Sequence, residues 1–199
     1  MKFNNFEKLL PLGYLFLVLL GIIKQSVFYN QFGINILDYS SLMDILISPI
    51  SDLTSHSNVF LFLLVFLTII FFVFLYFSKN HEKPWVQKFF KSNRQFTILT
   101  KEEIQLYLGN RFLLLASFGL IAFFLGMGIG TGKKTKERIE KEDLSYDYLL
   151  KIDNTEKQVH LIGVNSLNYF YLEKGNKNIK ISPSVSVKSI EYLHTEEKK

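Results

Sequence analysis

Few side chains in this 199-residue sequence stand where they could do chemistry. The stretch that comes nearest is Gly128-Ile129-Gly130-Thr131-Gly132-Lys133-Lys134-Thr135. A glycine-rich loop followed by lysine and a hydroxyl is how backbone N–H groups cradle phosphates. Its spacing fails. The loop needs glycine five residues before the Gly-Lys pair, where Met127 stands, and Ser or Thr after the first lysine, where Lys134 stands. The four histidines, His56, His81, His160 and His194, are scattered singly, without the spacing that brings two metal ligands to one helix face. There is no cysteine, no serine sits in a strand-to-helix elbow, and the adjacent Glu102 and Glu103 point to different faces of a helix. No catalytic, cofactor-binding or metal-ligating residue is assigned, and no enzyme is expected.

Composition points elsewhere. Hydrophobic residues make up 48% of the chain and aromatics 16%, with 20 Phe and 10 Tyr, yet 21% are charged and the net charge is +5. The two kinds are segregated into apolar blocks and lysine-rich blocks, unlike a soluble globule. A disordered chain needs low hydrophobicity, and a disulfide scaffold needs cysteine.

Three blocks read as bilayer spans: 9–29, 59–77 and 112–130. A helix rises about 1.5 Å per residue, so roughly 20 residues cross a hydrocarbon core of about 30 Å. The second block is apolar on every face, which a surface helix of a soluble protein is not. The first resembles a signal peptide at its charged start, Lys2 and Lys8, but its apolar run is too long and large residues follow it. Its one internal charge, Lys24, can reach the interface from a turn inside.

Loop charges set an orientation. The connection between the first two blocks holds Lys24 against Asp38, Asp44 and Asp52, whereas Ser78 to Arg111 carries seven basic residues. The bias of basic loops puts the N-terminus and the second connection in the cytoplasm, with the C-terminal part outside the cell membrane. Lys133, Lys134, Lys136 and Arg138 directly after the third block pull the other way. The competing arrangement has an even number of passes, with part of 33–53 re-entering the bilayer and the tail cytosolic.

Between the spans, Ser41 with Asp44 has the form of a helix start, and Leu42, Ile45, Leu46, Pro49, Ile50 and Leu53 recur at helical spacing. This predicts an interfacial amphipathic helix over 41–53, or a re-entrant segment. A second one is predicted over 84–92: Trp85, Phe89 and Phe90 form an aromatic face, rimmed by Lys83, Lys88 and Lys91. That pattern settles on an anionic leaflet. It also suits single-stranded nucleic acid, but beside two spans the membrane reading prevails, and no nucleic-acid partner is expected. Thr100 with Glu103 makes a further cap, so the third long helix begins near Lys101. In the third span Ala122, Gly126 and Gly130, four apart, make a flat strip on which another backbone can pack, either within the chain or in a homo-oligomer.

After a charged linker at 133–145 the periodicity turns to two. Tyr148–Ile152, Val159–Ile162, Tyr169–Leu172, Asn178–Ile181 and Val185–Ile190 read as strands, separated by turn signals at Asp153-Asn154, Gly163 with Asn165, Gly175-Asn176 and Ser182-Pro183. The fold class expected is mainly α: a three-span integral membrane helical protein with interfacial helices and a small C-terminal β domain over 146–193, SH3-like or a meander. The functional expectation is a non-enzymatic anchor, sensor or partner-binding module without cofactor. Its partners are the lipid bilayer, an unidentified protein and other copies of itself. The alternative is a homo-oligomeric channel or pore-forming effector assembled through the glycine strip.

Overall fold

The apolar blocks become long helices, with Pro11 in the second turn of α1 as the only proline within them. The computed structural model describes residues 6–55, 57–89, 101–152 and 155–193. In chain order it contains α1 (Phe6–Asn30), a 3₁₀ turn (Ile36–Tyr39), α2 (Leu42–Ser55), α3 (Ser57–Lys79), α4 (Pro84–Phe89) and α5 (Lys101–Glu140). The strands β1 (Tyr148–Ile152), β2 (Thr155–Val164), β3 (Asn168–Glu173), β4 (Lys180–Pro183) and β5 (Val187–Tyr192) follow. Three helices, over Leu10–Asn30, Ser57–Lys79 and Glu102–Glu140, are long and apolar enough to cross a membrane. The chain divides into two units, Met1–Ile50 with Phe124–Lys199, and Ser51–Phe123.

In the second unit, α3 runs antiparallel to the N-terminal half of α5. The Phe62 and Phe123 rings stack at 5.7 Å, the Phe66 ring lies over Gly119, and Phe74 meets Phe112 edge-on at 5.7 Å. Ile104 and Leu108 close the seam against Phe74 and Tyr107. The rest of α3 is bare: Phe60, Phe71 and Phe72 are each more than half exposed. A surface of that kind is suited to hydrocarbon rather than water.

In the first unit, α1 ends in a glycine stop. Gly33 takes φ +72°, the Ile34 N–H reaches the Tyr29 carbonyl (3.1 Å) and the Gly33 N–H the Asn30 carbonyl (3.1 Å). This is the paired closure in which a left-handed residue turns the chain off a helix, and Ile34 folds back on the cluster holding Tyr29. The five strands form one antiparallel sheet in the order β4-β3-β2-β1-β5. The first four make a meander, and β5 returns to pair with β1, Tyr148 opposite Tyr192 and Leu150 opposite Ile190.

The strands predicted from period-two patterning all occur, with shifted ends. Gly163 differs from expectation: it lies inside β2, at a register shift between Leu161 and Gly163, and the turn falls at 165–167. Asp153 and Asn154 lie outside the described residues. The segment 133–145, read as a charged linker, is helical as far as Glu140. Its lysines, glutamates and arginine are good helix formers, so the segment continues a helix that the loss of hydrophobicity had hidden. Lys101, the expected start of the third long helix, is where α5 begins.

Candidate functional site

β3 is the strand around which the first unit is built. Its consecutive residues Phe170, Tyr171 and Leu172 are all buried, so both faces of the sheet are covered there. On one face Tyr171 joins Leu150 and Val159, with Tyr148, Ile152, Leu161, Tyr169 and Val187 around them. On the other, Phe170 meets Tyr29 at 4.9 Å between ring centroids, and Ile36 completes the cluster. The core of the β part therefore includes the last turn of α1. Gly163 matters here because the Tyr29 hydroxyl occupies the space a side chain would take. The bulge at this point bends β2 and brings its backbone onto the tyrosine.

A polar junction lies beside this apolar one. The Asp44 carboxylate accepts from the Ser41 N–H (2.9 Å) and hydroxyl (2.6 Å), and from the Ser166 N–H (3.0 Å) and hydroxyl (2.7 Å). The Asp44 N–H in turn donates to Ser41 Oγ at 3.2 Å, so the expected cap of α2 is reciprocal. Asn165 Nδ2 donates to the Tyr39 carbonyl (3.0 Å) and to Ser40 Oγ (3.0 Å), and Asn168 Nδ2 to the same carbonyl (2.9 Å). The β2–β3 turn is thus pinned to the segment ahead of α2. Burial is the largest single influence on the Asp44 carboxyl and pushes it up. The hydrogen bonds from Ser41 and Ser166 together outweigh it and hold the group below the usual carboxylate range.

A depressed carboxyl stabilises the fold above its unfolded value and loses that contribution as pH falls through its folded one. Acidification below about pH 4 is therefore expected to loosen this junction. Asp44→Ala should cost about 1–2 kcal/mol at neutral pH, the range of a lost cap and its charged hydrogen bonds near solvent. Limited proteolysis of the 31–41 segment across pH checks both. If the variant and the parent are cleaved alike at neutral pH, the junction contributes nothing.

Across the sheet, Glu173 receives Lys157 Nζ at 2.7 Å and Lys180 Nζ at 2.6 Å. The Lys157 hydrogen bond, then that of Lys180, holds the Glu173 carboxyl down. Three neighbouring strands are tied by one acid. Each cluster ties separate elements together: Asp44 joins the start of α2 to the β2–β3 turn, and Glu173 joins β3 to β2 and β4. Among the described residues no three His, Asp or Glu side chains gather as a metal site would require.

The residues singled out from sequence are placed as follows. Trp85 packs on Phe77 (5.6 Å) and Tyr76 (6.1 Å) and stays 45% exposed, with Val86 buried beneath it and Lys83 and Lys88 exposed. Phe89 is the last residue of α4, while Phe90 and Lys91 lie outside the described residues. Ala122, Gly126 and Gly130 are exposed, and a side chain at Gly126 or Gly130 would meet nothing within 4 Å.

The helix packing inside the chain uses other glycines. A side chain on Gly128 would run into the Lys24 carbonyl, and one on Gly132 into Gln31 and the Phe28 carbonyl, so α1 and the end of α5 pack closely and run parallel, turn matched to turn. Gly21 lies directly on the backbone carbonyl of Ile45 at the start of α2, and Gln25 Nε2 donates to the buried Ser48 Oγ at 2.8 Å. The apolar stripe expected on α2 is therefore divided. Ile45 and Pro49 are buried, while Leu42 and Ile50 are exposed.

Sequence reasoning missed the Tyr29–Ile36–Phe170 cluster and the Asn165–Ser166 clamp. The only sequence signal for either was the unusual run of four apolar residues in β3. Comparison of the chain with protein-family models, with curated proteins and with solved structures gives no match.

Proposed function

We propose that this chain is a multi-pass membrane protein whose β module, held at the end of a span, acts as a non-enzymatic anchor, sensor or partner-binding unit. The observation that carries the reading is the shared core: Phe170 of the sheet packs on Tyr29 of a helix long and apolar enough to cross a bilayer. A module built into a span cannot swing free, so whatever it engages is engaged at a fixed distance from the lipid. The return of β5 to β1, with a 3₁₀ turn before it, supports reading the sheet as SH3-like rather than a plain meander. Val185 on that turn is 93% exposed, and Tyr192 and Leu167 are also open. Val185 and Leu167, brought near each other by the Ser184 N–H to Leu167 carbonyl bond (2.7 Å), are the surface offered to a partner.

Parallel packing of α1 and α5 supports an odd number of crossings, since it lets both helices leave on one side. With basic loops retained inside, that side is the exterior of the cell membrane and the N-terminus is cytoplasmic. Trp85 with Lys83 and Lys88 then faces the inner leaflet.

Fusions at Lys199 to alkaline phosphatase and to a cytosol-only fluorophore, with alkaline-washed membranes from the same cells, test the arrangement. Phosphatase activity, a dark fluorophore and protein in the pellet are expected. A bright fluorophore overturns the sidedness, and protein in the wash overturns membrane insertion. A photocrosslinker at Leu167 tests the binding role: one discrete adduct lost in a Val185→Glu variant is expected, and no adduct counts against it.

One observation favours the second reading, a homo-oligomeric channel: the strip Ala122, Gly126 and Gly130 is open along its length. If it joins copies, Gly126→Leu converts the assembly to monomer in mild detergent.

A further inference from the structure

Where α1 turns off at Gly33, a groove of about 550 Å³ opens between the end of α5 and the β3–β4 turn, all within the first unit. Its walls are apolar at Phe32, Ile139 and Ile179, and its charges are Lys136, Lys177 and Glu140. Lys136 and Glu140 stand one turn apart on α5, and neither has an ion-pair partner among the described residues. Lys177 is held at 3.2 Å by Glu142. That glutamate takes φ +56° at the stop of α5, where its N–H reaches the Ile139 carbonyl at 3.2 Å. With the Asp143 N–H on the Arg138 carbonyl (3.0 Å), this left-handed residue makes the paired closure that ends α5.

We infer that this groove binds the head group of a zwitterionic phospholipid bearing a primary amine. The inference rests on the membrane reading above and adds a ligand to it. The phosphate is received by Lys136, with Lys177 as second donor, and the ammonium is received by Glu140. Lysines alone would recruit any anionic lipid; an unpaired acid one turn away selects a head group with charges of both signs. A primary ammonium donates hydrogen bonds to a carboxylate, which a quaternary choline cannot do. The apolar walls suit the glycerol and the first methylenes. Depth agrees as well. The charge-free part of α5 ends at Lys133, and at about 1.5 Å per residue Lys136 lies roughly 4–5 Å further on, within the head-group layer.

Native mass spectrometry of the full-length protein in mild detergent tests this, with palmitoyl-oleoyl phosphatidylethanolamine, phosphatidylcholine and phosphatidylglycerol supplied at equal concentration. Retention of the ethanolamine lipid about five-fold or more over the other two is expected. Glu140→Gln should bring ethanolamine and choline lipids to parity, Glu140→Lys should turn the preference to phosphatidylglycerol, and Lys136→Gln should lower retention of all three. A protein that sediments with membranes yet shows no preference, or whose preference survives Glu140→Lys, overturns the groove assignment and leaves the membrane reading standing. A protein found in the supernatant overturns the membrane reading itself. Soluble phosphoethanolamine is the last arm: binding of it without retention of any lipid assigns the groove to a soluble phosphoamine and overturns the lipid source.

Discussion

Replacing Gly21 with valine is expected to lower the thermal midpoint of the detergent-purified protein by about 10 °C, corresponding to about 3 kcal/mol or more. The reason is the identity of the neighbour. A Cβ on Gly21 falls on the backbone carbonyl of Ile45, and its next contacts are the same residue's carbonyl carbon at 2.9 Å and Cγ2 at 3.0 Å. A flexible side chain can step aside, but the backbone of a helix cannot move without carrying the helix. Displacing α2 also breaks the Gln25–Ser48 hydrogen bond and strains the adjacent Asp44 clamp on the β2–β3 turn. Gly126→Val is the control. It meets nothing within 4 Å, so the fold of the single chain should be retained. Equal midpoints for both variants would show that α2 does not rest on α1.

Residues 140–199 expressed alone are expected not to fold, although they contain all five strands. The fragment lacks Tyr29 and Ile36, so Phe170 and its flanking Ile162, Ile179 and Ile181 would face water. A sheet of this size has little core to spare. In the full-length protein, Phe170→Ala should cost about 3–5 kcal/mol, as for other large aromatic truncations in closely packed sites. It should also free the turn at Asn165 and Ser166 for proteolysis. The two measurements answer different questions: the fragment asks whether α1 is needed, and the variant asks whether this contact is the reason. A fragment with dispersed, stable amide resonances would refute the shared core and restore a separable module.

These two results bear on function through rigidity. If the sheet cannot fold without the end of α1, its position relative to that helix is a property of the fold rather than of a linker. The helical course of 133–140 has the same consequence, because a flexible tether would have let the module drift.

Local pattern decided the elements. The leucine- and phenylalanine-rich blocks could only be helices of bilayer length, period-two runs could only be short strands, and Ser41 with Asp44 was a readable cap. Each depends on neighbours within a few residues, where backbone geometry imposes a fixed repeat. Direction around a helix axis is another matter. Gly126 and Gly130 have the same spacing as Gly128 and Gly132, and nothing local distinguishes the pair that faces Lys24 and Phe28 from the pair that faces outward. Two residues along a helix are about 200° of rotation, so the choice between them was made by the rest of the fold. Tyr29 likewise is only the last residue of the first apolar block until Phe170, far along the chain, is brought against it. The chain order by itself determined which segments are apolar rods and which are strands. Only tertiary packing decided which faces of them meet, because that depends on shape complementarity between residues the sequence keeps far apart.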